Sequence, residues 1–207
     1  MTFWTLSAQL GTGGREIATE LAARADVRLL DRQGLATLAH ELDPQIDPDS
    51  LNDLDERLGG RLAALALSLA VTAGVAEAFS ELQLRQTLPS LGREVMREAA
   101  RQPAVVLAPA AFAAMGDHPA AIHVRLHAPL GWRLAEVQRS DLLSRERAEK
   151  LVRHDDHPQR SWVRELYHVD LDEPQAFSLA IDASRLSRER IVHLLLAAAG
   201  RGAAGGG

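Results

Sequence analysis

The sequence predicts an α/β three-layer sandwich built on a parallel five-stranded sheet. Three observations lead there. A strand-like run, Phe3 to Ala8, stops at a glycine turn and continues through a helical segment into a second strand, Val27 to Leu30; this is a βαβ unit, which requires parallel strands. Three more strand-like runs, Ala104 to Leu107, Ala121 to His127 and Phe177 to Ile181, alternate with helical stretches. The chain has 207 residues and is 46% apolar, enough to bury roughly two-thirds of its unfolded surface in one domain.

Each element has a local cause. Arg15 to Arg24 places Ile17, Ala18 and Leu21 on one helical face. Gln33 to Glu41 is a helix ended by the Asp43-Pro44 and Asp47-Pro48 turns. Ser50, with Asp53 three residues on, caps a helix running towards Ala73. Gly74 bends it, and Val75 to Arg101 continues as helix with an interruption expected near Leu88-Pro89-Ser90. Prolines 103, 109, 119 and 129 bound the third and fourth strands. Leu130 to Tyr167 is charged and helical, and Ser187 to Ala199 is the closing helix. The pentapeptide Leu-Ser-Arg-Glu-Arg occurs at 143–147 and 186–190, with serine placed as an N-cap and an acid in the first turn, so the repeat is shared capping chemistry. Residues 1–199 read as one domain, and the glycine-rich tail 200–207 as disordered.

Composition removes several classes of function. The absence of cysteine excludes disulfides, thiolate zinc sites and cysteine nucleophiles. A net charge of −5 and 4% aromatics argue against a nucleic acid polymer as partner. Met1 to Leu6 lacks the features of a secretory signal. The Ala/Leu-rich stretch Leu62 to Ala78, interrupted by Ser68, Thr72 and Gly74, reads as a buried helix and not a membrane span; no membrane association and a cytoplasmic location are expected. Of 23 basic residues only Lys150 is lysine, so chemistry that needs an ammonium group must use it or do without.

The turn Gly11-Thr12-Gly13-Gly14 opens onto a helix, an arrangement that presents backbone N–H groups and the positive end of a helix dipole to a phosphate. A dinucleotide fingerprint starting at Gly11 needs glycine at 16 and finds Glu16. A Walker A frame puts Ala8 at the first glycine, Gly14 at the lysine and Arg15 at the Ser/Thr, so only Gly13 fits. From these residues alone, a ligand-free strand-to-helix turn stays open beside a phosphate site.

Ser7 to Ile17, read as SAQLGTGGREI, resembles the SRQxGSGGREI segment of the cytidylate-kinase-like family, a branch of the P-loop nucleoside-monophosphate kinases. The resemblance continues in order. Ala18 to Asp31 is similar to the family's helix and strand ending in Asp, and His123 to Arg133 to its strand followed by Ala-Pro and an arginine. Leu142 to Arg160 is similar to its lid, and Phe177 to Leu186 to its final strand and turn.

The resemblance implies phosphoryl transfer from ATP, with Mg²⁺, to CMP or a related nucleoside monophosphate. It implies that 33–102 is a helical acceptor-binding insertion and 130–167 a lid. Gly11, Thr12, Gly13 and Gly14 would cradle the donor phosphates, joined by Glu16 and Arg185. Arg15, Arg133, Arg153 and Arg160 would be the catalytic cations, and Asp31, Arg93 and Asp156 would meet the acceptor. No side-chain metal cluster is assigned. Lid closure would exclude water so that hydrolysis does not compete.

The chain departs from the family pattern at three places. The arginine after the first serine is Ala8. The Gly-Arg pair after the third strand is Ala108-Pro109, and that strand ends without an acid. A catalytically degenerate module of the same fold, binding nucleotide or pairing with a second copy through an apolar surface around Leu62 to Phe79, is therefore the alternative. Other constellations have plain readings. The charges between Arg133 and Arg164 mostly suit a solvated helix face. His154-Asp155-Asp156-His157 lacks a distant third ligand for a metal. His123, Arg125 and His127 share one face of their strand, as satisfied structural groups or a partner contact.

Overall fold

The computed structural model describes residues 2–42 and 81–202. Five parallel strands form the sheet: β1 (Phe3–Ala8), β2 (Arg28–Leu30), β3 (Ala104–Leu107), β4 (Ala121–His127) and β5 (Leu179–Asp182). Their order is β2-β3-β1-β4-β5. β1 is central, with Leu6 opposite Leu107 on one side and Val124 on the other. The helices are α1 (Gly14–Ala25), α2 (Arg32–Leu42), α3 (Glu81–Ala99), α4 (Ala111–Met115), α5 (Leu130–Asp141), α6 (Arg145–Tyr167) and α7 (Arg188–Gly202).

The two sheet faces bury different chemistry. On one, Trp4 and Leu6 of β1 join Val124 and Leu126 of β4 under Ile17 and Leu21 of α1 and Ile191 and Leu195 of α7. The Trp4 indole N–H donates to the Leu195 carbonyl at 3.2 Å, so burial of the ring leaves no polar group unpaired. On the other face, Phe3, Ala104 and Val106 pack with Leu35 and Leu38 of α2, Val95 and Met96 of α3 and Leu166 and Tyr167 of α6. A third, smaller core, Leu134 and Val137 of α5 with Ala148 and Val152 of α6, takes in Leu10 of the glycine turn.

Within the polar stripe of β4, His123 is satisfied from inside the fold. His123 Nε2 lies 2.9 Å from the Gly116 carbonyl, so that nitrogen carries the proton, and Nδ1 accepts from the Thr5 hydroxyl at 2.7 Å. Burial pulls the His123 pKa down, in keeping with a neutral ring.

Three expectations about the elements change. α3 runs unbroken past Pro89 instead of being interrupted there; its C-terminal half is pinned to the sheet by Val95, Met96 and Ala99, and packing outweighs one lost backbone hydrogen bond. The charged stretch 130–167 is two helices, broken at Leu142, which takes a left-handed conformation. α7 continues to Gly202, past the start expected for a disordered tail at residue 200, because extending a helix already packed through Leu195 and Ala199 needs no new nucleation. Ser144 caps α6 by accepting from the Arg147 N–H at 3.4 Å, and Ser187 accepts likewise from Arg190 at 3.4 Å, as the repeated pentapeptide predicts. The turns at 43–48, the helix from Ser50 and the apolar stretch 62–79 lie outside the described residues. Among the described residues no helix is long and apolar enough to cross a membrane.

Candidate functional site: the glycine turn and its surroundings

β1 ends in the middle of the sheet, beside the crevice where the chain order switches sides, the usual place for a ligand in such sheets. The turn that follows is tight. Thr12 folds back so that its N–H and its hydroxyl both donate to the Gln9 carbonyl, at 3.1 and 2.7 Å. Gly11 and Gly13 take φ of 84° and 72°, the left-handed region that side chains disfavour. A Cβ at Gly11 would stand 2.6 Å from the Arg133 carbonyl oxygen, and one at Gly14 would overlap Ala8 Cβ. Gly13 is the N-cap of α1, and no side chain caps that end, so the first-turn N–H groups are left for a ligand.

The turn forms one wall of a cavity of about 860 Å³. Opposite it stand Trp132, Glu136, Arg139 and Ser140, spaced i, i+4, i+7 and i+8 on one face of α5. Arg188 and Ile191 of α7 and Asp155 and Gln159 of α6 complete it.

The helix pair α5–α6 braces the turn from behind. Arg133, only 4% exposed, donates from Nε to the Ala128 carbonyl at 3.2 Å and from Nη1 to the Leu10 carbonyl at 3.3 Å. The same guanidinium holds Asp156 at 2.9 and 2.6 Å. Asp155 accepts from the Leu10 N–H and from Gln159 Nε2, the latter at 2.7 Å. Burial, and secondarily the neighbouring Asp156, pushes the Asp155 carboxyl up from its ordinary value. Both backbone groups of Leu10 are thus held by residues more than a hundred positions away.

The residues named from the sequence separate into three groups. Gly11, Thr12, Gly13, Gly14, Arg15 and Glu16 all line the large cavity. Arg15 also pairs with Asp31 at 3.3 Å, and Asp31 accepts from the Gly34 N–H at 3.2 Å at the start of α2. Arg133 and Asp156 are engaged with each other behind the turn. The rest stand apart from the turn: Arg153 pairs with Glu149 on the exposed face of α6, Arg160 with Asp172 at 2.9 Å, Arg185 with Asp182 at 3.2 Å, and Arg93 lies over the Tyr167 ring. Lys150, the chain's single lysine, is exposed on α6 and pairs with Glu146. Sequence reasoning missed Trp132, Arg139 and Arg188, although the helical spacing from 132 to 140 carries the signal for the first two. Among the described residues no group of three metal-ligating side chains occurs, and Asp155 and Asp156 turn to different partners instead of sharing an ion with His154.

The comparisons agree with this architecture. The sequence pattern of the cytidylate kinase-like family matches residues 4–185. No curated protein matches the chain. Among solved structures, an uncharacterized protein from Eubacterium ventriosum aligns with a TM-score of 0.68 at 11% identity, over 96% of this chain and 98% of that one. A gluconokinase from Sinorhizobium meliloti aligns with a TM-score of 0.51 at 13% identity, over 97% and 92%. At these identities the likeness is one of fold.

Proposed function

The chain belongs to the cytidylate kinase-like family, and from that premise we propose that it transfers the γ-phosphoryl group of ATP to CMP or a related nucleoside monophosphate. The observation that carries the reading is the uncapped start of α1, reached through two left-handed glycines and opening on the large cavity. The reaction breaks the β–γ bridging bond of the donor and forms a bond from an acceptor phosphate oxygen to the γ-phosphorus, so it needs alignment and charge neutralisation more than covalent help. The amides of residues 11–15 suit the donor phosphates. Arg15, Arg139 and Arg188 line the same cavity, each in an exposed ion pair, with Asp31, Glu136 and Glu20 respectively. Such pairs are worth at most about 1 kcal/mol and yield readily to a polyanion.

The triphosphate fits the turn; a protein-held Mg²⁺ does not fit as well. The position of the usual metal-binding hydroxyl is Arg15, and β3 ends in Leu107-Ala108-Pro109 without an acid. Any Mg²⁺ would arrive with the nucleotide, and no step is assigned to it.

A second reading, nucleotide binding without turnover, is favoured by one observation: the ammonium group expected beside the phosphates is missing, since the only lysine faces solvent on α6. A coupled assay of ADP release over a panel of nucleoside monophosphates, beside calorimetric titration with ATP, decides between them. The kinase reading expects acceptor-dependent ADP release, reduced about 10³-fold by Arg15→Ala at the glycine turn. ATP binding with no acceptor-dependent release would overturn it in favour of the second.

A further inference from the structure

A second cavity, of about 480 Å³, opens at the carboxyl ends of β4 and β5. Arg125 of β4 lines it, opposite Ser7 of β1 and Ala180 of β5 in the sheet register. An interior strand of a parallel sheet is ordinarily apolar on both faces, yet this arginine is 5% exposed. Its charge is poorly answered. Nη2 lies 3.8 Å from Asp172, beyond hydrogen-bond reach, because Asp172 is held by Arg160 at 2.9 Å. Nη1 is buried and has no hydrogen-bond partner among the described residues. A buried charged donor without a hydrogen-bond partner is expensive, and the charges of Asp172 and Asp156 near it are opposed by those of Arg160 and Arg133.

Two more features describe what would answer it. Gln9 lines both this cavity and the donor cavity, so an anion at Arg125 lies one side chain from the glycine turn. The remaining wall carries the acids Asp172, Glu173 and Asp182, which suit hydroxyl or amino donors and repel a bare polyanion. We propose that Arg125 is the receptor for the phosphate of a small phosphomonoester bearing such donors, the acceptor of the transfer. The identity of the ligand as acceptor rests on the kinase reading; the anion site rests on Arg125 and its cavity alone. It supplies the cation that the Ala108-Pro109 end of β3 does not.

The test is calorimetric titration of the full chain with CMP, inorganic phosphate and ATP, for the wild type, Arg125→Met, Arg125→Lys and Ala180→Glu. Ala180 is exposed and lines the cavity, so Ala180→Glu places a carboxylate beside Arg125 without touching it and carries the test if Arg125→Met does not fold. The expected result is CMP affinity lowered at least tenfold in Arg125→Met and Ala180→Glu, less in Arg125→Lys, with ATP affinity unchanged in all three. Unchanged CMP affinity in the folded variants would overturn the inference, as would a wild type that binds neither CMP nor phosphate. Phosphate binding that depends on Arg125, without ADP release on any monophosphate, would uphold the site while the kinase reading falls. Acceptor-dependent ADP release whose KM ignores Arg125 would do the reverse.

Discussion

Arg133 and Asp156 form a bidentate ion pair behind the glycine turn, with N–O distances of 2.9 and 2.6 Å and side chains only 4% and 16% exposed. The pair joins the start of α5 to the middle of α6, and through the Leu10 carbonyl it fixes the turn. Its role is positioning. Asp156→Ala leaves a buried guanidinium without its counter-charge, and is expected to cost about 2–4 kcal/mol in urea unfolding together with weaker ATP binding. Asp156→Asn, which keeps an acceptor, is expected to cost less. Equal stability of wild type and Asp156→Ala would show that the pair contributes nothing.

The glycine at position 11 is required by space as well as by φ. Gly11→Ala sets a Cβ 2.6 Å from the Arg133 carbonyl and is expected to lose roughly 1–3 kcal/mol and at least tenfold in ATP affinity. Gly116 also has positive φ, at 59°, but a Cβ there meets nothing within 4 Å. Gly116→Ala is expected to cost roughly 1–3 kcal/mol for its backbone conformation alone, with ATP affinity intact. Thermal melts and titration of both variants check the contrast.

Asp155 faces the large cavity beside the glycine turn, with its carboxyl pushed up by burial. A folded-state pKa above the unfolded one means stability that is present at low pH and lost as pH rises through the folded value. Asp155→Asn removes that loss, so it is expected to raise the melting temperature at neutral pH and to flatten the pH dependence above pH 4. It also removes a negative charge from the phosphate cavity and is expected to tighten ATP several-fold. A lower melting temperature at neutral pH would contradict the assignment.

Tyr167, the chain's single tyrosine, packs under α3 with its pKa pushed up to about 12 by burial, against the pull of Arg93. Because the unfolded chain ionises near 10, the stabilising proton is held below pH 10 and its benefit, about 2–3 kcal/mol, is lost between pH 10 and 12. Absorbance titration is expected to show no tyrosinate before that window, and alkaline unfolding to begin within it. Tyrosinate appearing at pH 10 in the folded protein would contradict it.

Much of the sheet was legible because its signals are local. β1, β3 and β4 stand at the expected bounds, since alternating or wholly apolar runs flanked by proline and glycine leave little freedom. The glycine turn was legible for the same reason: positive φ at 11 and 13 and contact at 14 demand the residue type itself. The arginines were not. Arg133, Arg153 and Arg160 look alike in a charged helical stretch, yet one is buried behind the turn, one is exposed on α6 and one is bound to Asp172. Helical spacing states which side chains share a face, but not what that face meets.

Arg125 marks the boundary most clearly. Its alternation with His123 and His127 placed all three on one side of a strand, and His123 is satisfied there by Thr5 and Gly116. Whether Arg125 was satisfied too depended on where Arg160 and Asp172 came to rest, through a long helix and a loop. The strand pattern, the turn and the family were determined by residues near one another in the chain, because backbone geometry and periodicity act over a few positions. Which cations are buried, which are spent on carboxylates and which, like Arg125 Nη1, lack a hydrogen-bond partner among the described residues was decided by the tertiary structure, because electrostatic pairing depends on distance in space.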